Sequence, residues 1–169
     1  MDALEAIRTR RSVRRYTGEA ISEETMDELL ASAMAAPSAG NQQPWQFVVI
    51  RDPQLRERLP TAHPYAQMAA EAPAVVVVCG NLAQERHKGF WVQDCAAATE
   101  NLLLAARALG LGAVWCGVYP REDRVRALQS LLGLPKAVIP LALVPVGYPD
   151  EEKPHEDRFD RSRIHADRW

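Results

Sequence analysis

Met26, Leu29, Leu30, Ala33 and Met34 recur at i, i+3, i+4, i+7 and i+8, the spacing of one face of an α-helix. Ser22 stands before them as an N-cap, Glu23 and Glu24 sit where they favour the helix dipole, and Pro37 closes the run. A longer pattern of the same period covers 91–109, with Val92, Cys95, Ala96, Thr99, Leu102, Leu103 and Ala106 as its buried stripe and Gly110 as the residue just past its end. Further helices are expected over 2–8 and 122–132, with a helical turn over 54–59. Strands are expected over 46–51, 74–79, 113–116 and 139–146. The run 74–79 is almost unbroken in apolar residues, as in a strand covered on both faces. Residues 10–16 read as extended, and 37–44 as a loop.

Short apolar strands alternating with helices point to a mixed sheet with helices packed on both sides. At 169 residues the chain suits one domain spanning 1–169. The segment after Pro149 is polar and irregular by pattern, yet it ends on Trp169, whose ring burial against a partner subunit would cover.

Composition narrows the function classes. The net charge of −2 gives no bulk attraction for nucleic acid or an acidic membrane. Cys79, Cys95 and Cys116 are odd in number, widely spaced and form no CxxC, which argues against a disulfide framework or a zinc site. Cys79 and Cys95 lie in apolar stretches, as inert core residues do. The first residues lack the apolar core of a signal peptide, and no apolar run approaches the ~20 residues that span a bilayer, so a cytoplasmic protein is expected.

The charges are unevenly placed. Arg8, Arg10, Arg11, Arg14 and Arg15 crowd one short segment, and strand alternation would put Arg10, Ser12 and Arg14 on one side. Two guanidinium forks with a hydroxyl between them suit a phosphate, each charge-assisted bond contributing about 1.5–3 kcal/mol. Alone, the cluster is better read as solvated basic surface. A second cluster, Arg158, Arg161, Arg163 and Arg168, repeats the Arg-x-Arg spacing around Ser162 and shifts the weight toward two clusters converging on one anion; a basic tail offset by Glu151, Glu152, Glu156 and Asp157 stays open. The loop 37–44 carries Asn41, Gln42 and Gln43 between two prolines. Carboxamides there suit the edge of a heterocycle, or simply cap backbone.

The stretch GLGAVWCG (110–117) is not a dinucleotide fingerprint: Trp115 occupies the third glycine's place, and the glycines precede a strand. Gly117 falls where backbone could approach a flat ligand. His63, His87, His155 and His165 lack HExxH spacing, and no nucleophile elbow, P-loop or nucleophile–base pair appears. No catalytic side chain and no metal ligand set is expected. A phosphate clamp without catalytic side chains fits a cofactor that carries the chemistry.

Residues 10–16 (RRSVRRY), 36–45 (APSAGNQQPW), 108–115 (ALGLGAVW) and 158–165 (RFDRSRIH) together resemble the signatures of the FMN-dependent nitroreductase family, in order and spacing along nearly the whole chain. The resemblance implies an α+β, three-layer sandwich and an interlocked homodimer with the flavin at its interface. It implies that Arg10, Arg11, Ser12 and Arg14 hold the FMN phosphate, ribityl chain and pyrimidine edge, and that Arg161 and Arg163 make a second phosphate contact. Pro37, Ser38, Ala39 and Asn41 match a loop reaching the flavin from the partner subunit, with Gln43 at its exit. Gln67 is a further flavin contact, and Trp115, Cys116 and Gly117 lie beside the reactive N5. Some longer relatives carry Glu-Gly near N5, where this chain has Gly117 and Val118. The activity implied is ping-pong hydride transfer from NADH or NADPH to a nitroaromatic, quinone or similar small-molecule acceptor. A dehalogenase-like or enone-reductase-like flavoenzyme on the same fold, and a non-catalytic flavin-binding module, are the alternatives.

Overall fold

The computed structural model describes residues 1–154 and 156–169; His155 lies outside the described residues. Among the described residues five α-helices and five strands follow in the order α1 (Ala3–Thr9), α2 (Glu23–Met34), β1 (Trp45–Ile50), α3 (Pro53–Ala62), β2 (Ala74–Asn81), α4 (Trp91–Ala108), β3 (Gly112–Ala113), β4 (Cys116–Gly117), α5 (Glu122–Leu132) and β5 (Val138–Gly147). β5 is central: β2 pairs with one side of it, β3 and β4 with the other, and β1 extends the sheet beyond β2, all antiparallel. The sheet expected to be mixed is therefore antiparallel in all its described strand pairs; an isolated bridge between Ser12 and Ala113 is parallel.

Side-chain alternation along β2 builds the three layers. Val76 and Val78 face a core shared with α2 and α4, while Val75, Val77 and Cys79 face one shared with α3 and α5. All five are fully buried, which is why the run lacks polar residues. The single strand expected over 113–116 is two short strands in one register on β5: Ala113 pairs with Val146 and Cys116 with Leu143. The interruption falls opposite Pro145, which has no N–H to give the ladder. Val114 still donates to the Pro145 carbonyl at 3.3 Å.

The helices start where capping chemistry allows. Asp2, Ser22 and Asp52 each accept a backbone N–H of the first turn. The helical turn expected over 54–59 is a ten-residue helix, begun by Pro53 in its first turn and carried past Pro60. Met34, expected in the core, is 49% exposed. It stands roughly 80° round the helix from Met26, off the stripe that Met26, Leu29 and Ala33 define. Val92 and Ala96 are only partly buried, whereas Trp91, Asp94 and Ala98, outside the expected stripe, are buried. No helix of the described residues is long and apolar enough to cross a membrane.

Candidate active site

The end of β4 opens on a cavity of about 540 Å³ lined by Arg14, Gln67, Trp115, Cys116, Gly117 and Arg124, among others. That volume is in the range of small-molecule and cofactor sites. Arg14 reaches it because Val13 anchors the extended segment: Val13 is buried, and its N–H bonds the Ala113 carbonyl at 3.0 Å. The Arg14 backbone N–H is held by Glu151 at 2.6 Å, while its guanidinium donates no hydrogen bond to the described residues. Gln67 arrives on a short 3-10 turn, Gln67–Ala69. Its side-chain amide makes only a long bond, 3.4 Å, to the Pro64 carbonyl.

Among the described residues that line the cavity are two arginines and no carboxylate, which biases its field toward positive. The cations Arg14 and Arg124 pull the Cys116 thiol down, but burial outweighs them and its pKa is pushed up to about 11. Cys116 is therefore a thiol at neutral pH, in contact range of Met68 Sδ at 3.9 Å. A Cβ placed on Gly117 would meet no protein atom, so the strand end offers bare backbone to whatever fills the space. An unspent guanidinium on Arg14, a carboxamide and an open backbone edge fit a planar, electron-accepting heterocycle with hydrogen-bond acceptors along its edge, such as FMN.

The remaining arginines are distributed differently from a one-sided clamp. Arg10 lines two other cavities, of about 360 and 520 Å³, and stands 3.5 Å from Glu100. Arg11 donates to the backbone carbonyls of Arg8, Arg10 and Pro154, so it organises the segment and its junction with the tail. Arg8 and Arg158 join Arg10 and Arg11 around the larger of these cavities. Arg161 and Arg163 lie on an exposed 3-10 turn capped by Asp160, with Arg163 paired to Asp160 at 3.1 Å. Neither has a hydrogen bond or ion pair to the N-terminal cluster among the described residues. Trp169 is fully exposed and stacks on His165, ring centroids 4.2 Å apart.

The loop holding Pro37, Ser38, Ala39, Asn41 and Gln43 contributes nothing to the cavity beside Arg14. It is nevertheless tightly built. Asn41 and Gln43 both hold left-handed φ, +53° and +48°. Ser38 Oγ accepts the Gln43 N–H at 3.0 Å, and the Gln43 amide donates to Asn41 Oδ1 at 3.0 Å. Two residues outside the expected set organise it. Asp94, buried on α4, accepts the Ala39 N–H at 2.9 Å and the Gln42 amide at 2.6 Å. Gln42 Oε1 then accepts the N–H groups of Arg86 and His87. His63 and Arg124, also not anticipated, meet at the Gly117 carbonyl.

Fold and cavity together define a nitroreductase-like α+β sandwich. The nitroreductase family model matches residues 7–63 and 60–148, and the chain belongs to that family. A Methanothermobacter thermautotrophicus protein described as an NADH dehydrogenase/NAD(P)H nitroreductase is 48% identical over 169 residues, covering 100% of this chain and 88% of its own. A crystal structure from Parabacteroides distasonis, described in the same words, superposes with a TM-score of 0.95 at 38% identity, covering 99% of this chain and 98% of its own. A Desulfovibrio desulfuricans protein described as a nitroreductase in complex with FMN superposes with a TM-score of 0.86 at 32% identity, covering 100% and 98%.

Proposed function

We propose that the chain is an FMN-dependent NAD(P)H oxidoreductase that works as a homodimer, with one flavin at each of two interface sites. The observation that carries this is the cavity at the end of β4, where Arg14 and Gln67 present donors with little or no protein to bond. Likeness to the D. desulfuricans protein described with FMN supports the cofactor. The chemistry FMN supplies when bound is hydride transfer through N5, in from NADH or NADPH and out to an acceptor such as a nitroaromatic or quinone.

The chain's own residues bind and orient. Arg14 and Gln67 hold the pyrimidine edge, and the guanidinium stabilises negative charge there. Trp115, Cys116 and Gly117 edge the ring without a competing base, since Cys116 stays protonated. Arg10 and Ser12, joined by Arg161 and Arg163, hold the ribityl phosphate, with Arg11 bracing the segment through backbone carbonyls. The loop of Pro37, Ser38, Ala39, Asn41 and Gln43 serves the partner's cavity, which accounts for its rigid construction at a distance from its own. No acid–base residue is required.

The test is an absorbance spectrum of the desalted protein, followed by anaerobic addition of NADH and then NADPH. About one FMN per chain, bleached by either donor, is expected. Protein that stays colourless after incubation with FMN would overturn the assignment, and bound FMN that neither donor bleaches would make the chain a binding module.

A further inference from the structure

Among the described residues β4 pairs only with β5, so the outer backbone groups of this edge strand need other partners. One solvent-exposed donor would satisfy the Gly117 carbonyl. Instead it receives two bonds from two different helices of one layer. His63, at the end of α3 and 1% exposed, places Nε2 at 2.8 Å from it. Arg124, in the first turn of α5, places Nη1 at 2.9 Å. The Tyr65 N–H points at His63 Nδ1 at 3.3 Å, which makes Nδ1 the acceptor and Nε2 the ring atom that carries the proton. The 3.3 Å approach of Arg124 Nη1 to His63 Nε2 is then two donors converging on one oxygen.

This arrangement costs more than covering a strand edge requires. Arg124 Nε is buried without a hydrogen-bond partner among the described residues. The guanidinium is also held over the Tyr65 ring, 5.4 Å from its centroid. A cation is thus locked in place at a cavity that already contains Arg14 and has no lining carboxylate.

Resting on the flavin assignment above, we propose that His63 and Arg124 are positioning residues for the cofactor. Acting through the Gly117 carbonyl, they fix the Cys116–Gly117 strand end against the ring, and Arg124 holds a second positive charge beside it. That charge favours the reduced, more negative cofactor and so raises its reduction potential.

Gly117–Val118 is the only Gly–Val pair in the sequence. Protein labelled with ¹³C-carbonyl glycine and ¹⁵N-valine therefore gives one amide–carbonyl cross-peak, which reports the clamp in FMN-free protein. Four variants are compared by this peak, by FMN titration and by redox potentiometry of the holoprotein. Arg124→Met and His63→Leu should move the peak. Arg124→Met should also weaken FMN by about tenfold, the loss of one charge-assisted contact, and lower the potential. Arg124→Lys should move the peak yet keep the potential, because the cation remains. His63→Gln, which can still donate, should restore peak and affinity toward wild type. If Arg124→Met does not fold, Arg124→Lys and the His63 pair decide the matter on the same readouts. Wild-type affinity and potential in both Arg124→Met and His63→Leu would overturn the proposal, as would a potential in Arg124→Lys lowered as far as by a neutral residue. If wild-type protein takes up no FMN, the flavin assignment fails, whereas the cross-peak still shows whether the clamp on Gly117 exists.

Discussion

The Asp94 carboxylate and the Gln42 side-chain amide lie 2.6 Å apart, although 52 residues separate them in the chain. The pair links the buried face of α4 to the loop that we assign to the partner's flavin. Its polarity is fixed from both ends. Asp94 offers acceptors to two donors, the Ala39 N–H and the Gln42 amide, while Gln42 Oε1 is committed to two backbone N–H groups. Asp94→Asn keeps the shape but sets an NH₂ against one of those donors. We expect a loss of about 1–3 kcal/mol, the cost of one unmet buried polar group, and a melting temperature lower by roughly 2–4 °C per kcal/mol. Urea unfolding with and without FMN measures it. A wild-type midpoint would mean that the loop does not depend on this carboxylate.

Gly112 and Val13 make a second long-range constraint. A Cβ on Gly112 would sit 2.6 Å from Val13 Cγ1 and 2.7 Å from its Cβ. Gly112→Ala should therefore destabilise by about 1–3 kcal/mol through overpacking. It should also push the Arg14 segment off β3, since Val13 is its anchor. The double variant Gly112→Ala/Val13→Ala should recover part of that loss. A double-variant cycle by thermal melting gives the coupling, and simple additivity would show that the two residues do not press on one another.

Both constraints show where the sequence was legible. Helix periodicity, caps and the apolar run of β2 follow from local chemistry, and the helices and strands stand close to where those patterns put them. The break in the 113–116 strand depended on which residue lay opposite, Pro145, a matter of pairing instead of propensity. Arg14 and Gly117, expected from the resemblance to meet the flavin, do line one cavity, but the use of Arg11 on backbone carbonyls was not legible, because charge patterning does not reveal what a guanidinium reaches. Asp94 did leave a signal: a carboxylate three residues after Trp91 and four before Ala98, on the edge of an apolar stripe. His63 and Arg124 left none, being 61 positions apart and joined only through a backbone oxygen.

Arg14 and Arg163 test whether the N-terminal segment and the tail act on one cofactor. Within one chain Arg14 lines the cavity at β4 without Arg163, and Arg163 is paired with Asp160. If the tail serves the interface, Arg14→Ala/Arg163→Ala removes two charge-assisted contacts and weakens FMN by on the order of a hundredfold or more. Most of the flavin should then be lost on desalting, read as flavin absorbance per chain. Arg14→Ala alone should lose less. Retention at the wild-type level in the double variant would rule out the shared clamp.

The three cysteines give a prediction at alkaline pH. Burial raises the Cys79 and Cys95 thiols to about 12 and Cys116 to about 11, against an ordinary value of 9.0. Burial likewise raises the Tyr16 phenol, whose OH bonds the Val13 carbonyl at 2.6 Å. In each case the folded protein keeps its proton where the unfolded chain has begun to release it. Between about pH 9 and 12 the unfolded state therefore binds fewer protons, and stability must fall as pH rises. Below about pH 8 these groups are almost fully protonated in both states and contribute little slope. Urea midpoints should be nearly flat with respect to these groups from pH 7 to about 8, then drop steeply toward pH 11. Cys79→Ala/Cys95→Ala should reduce that alkaline slope while lowering stability at neutral pH through lost packing. Native protein at pH 8 should also react slowly with a thiol reagent, and unfolded protein at once. An alkaline slope unchanged in the double variant would show that other groups carry it.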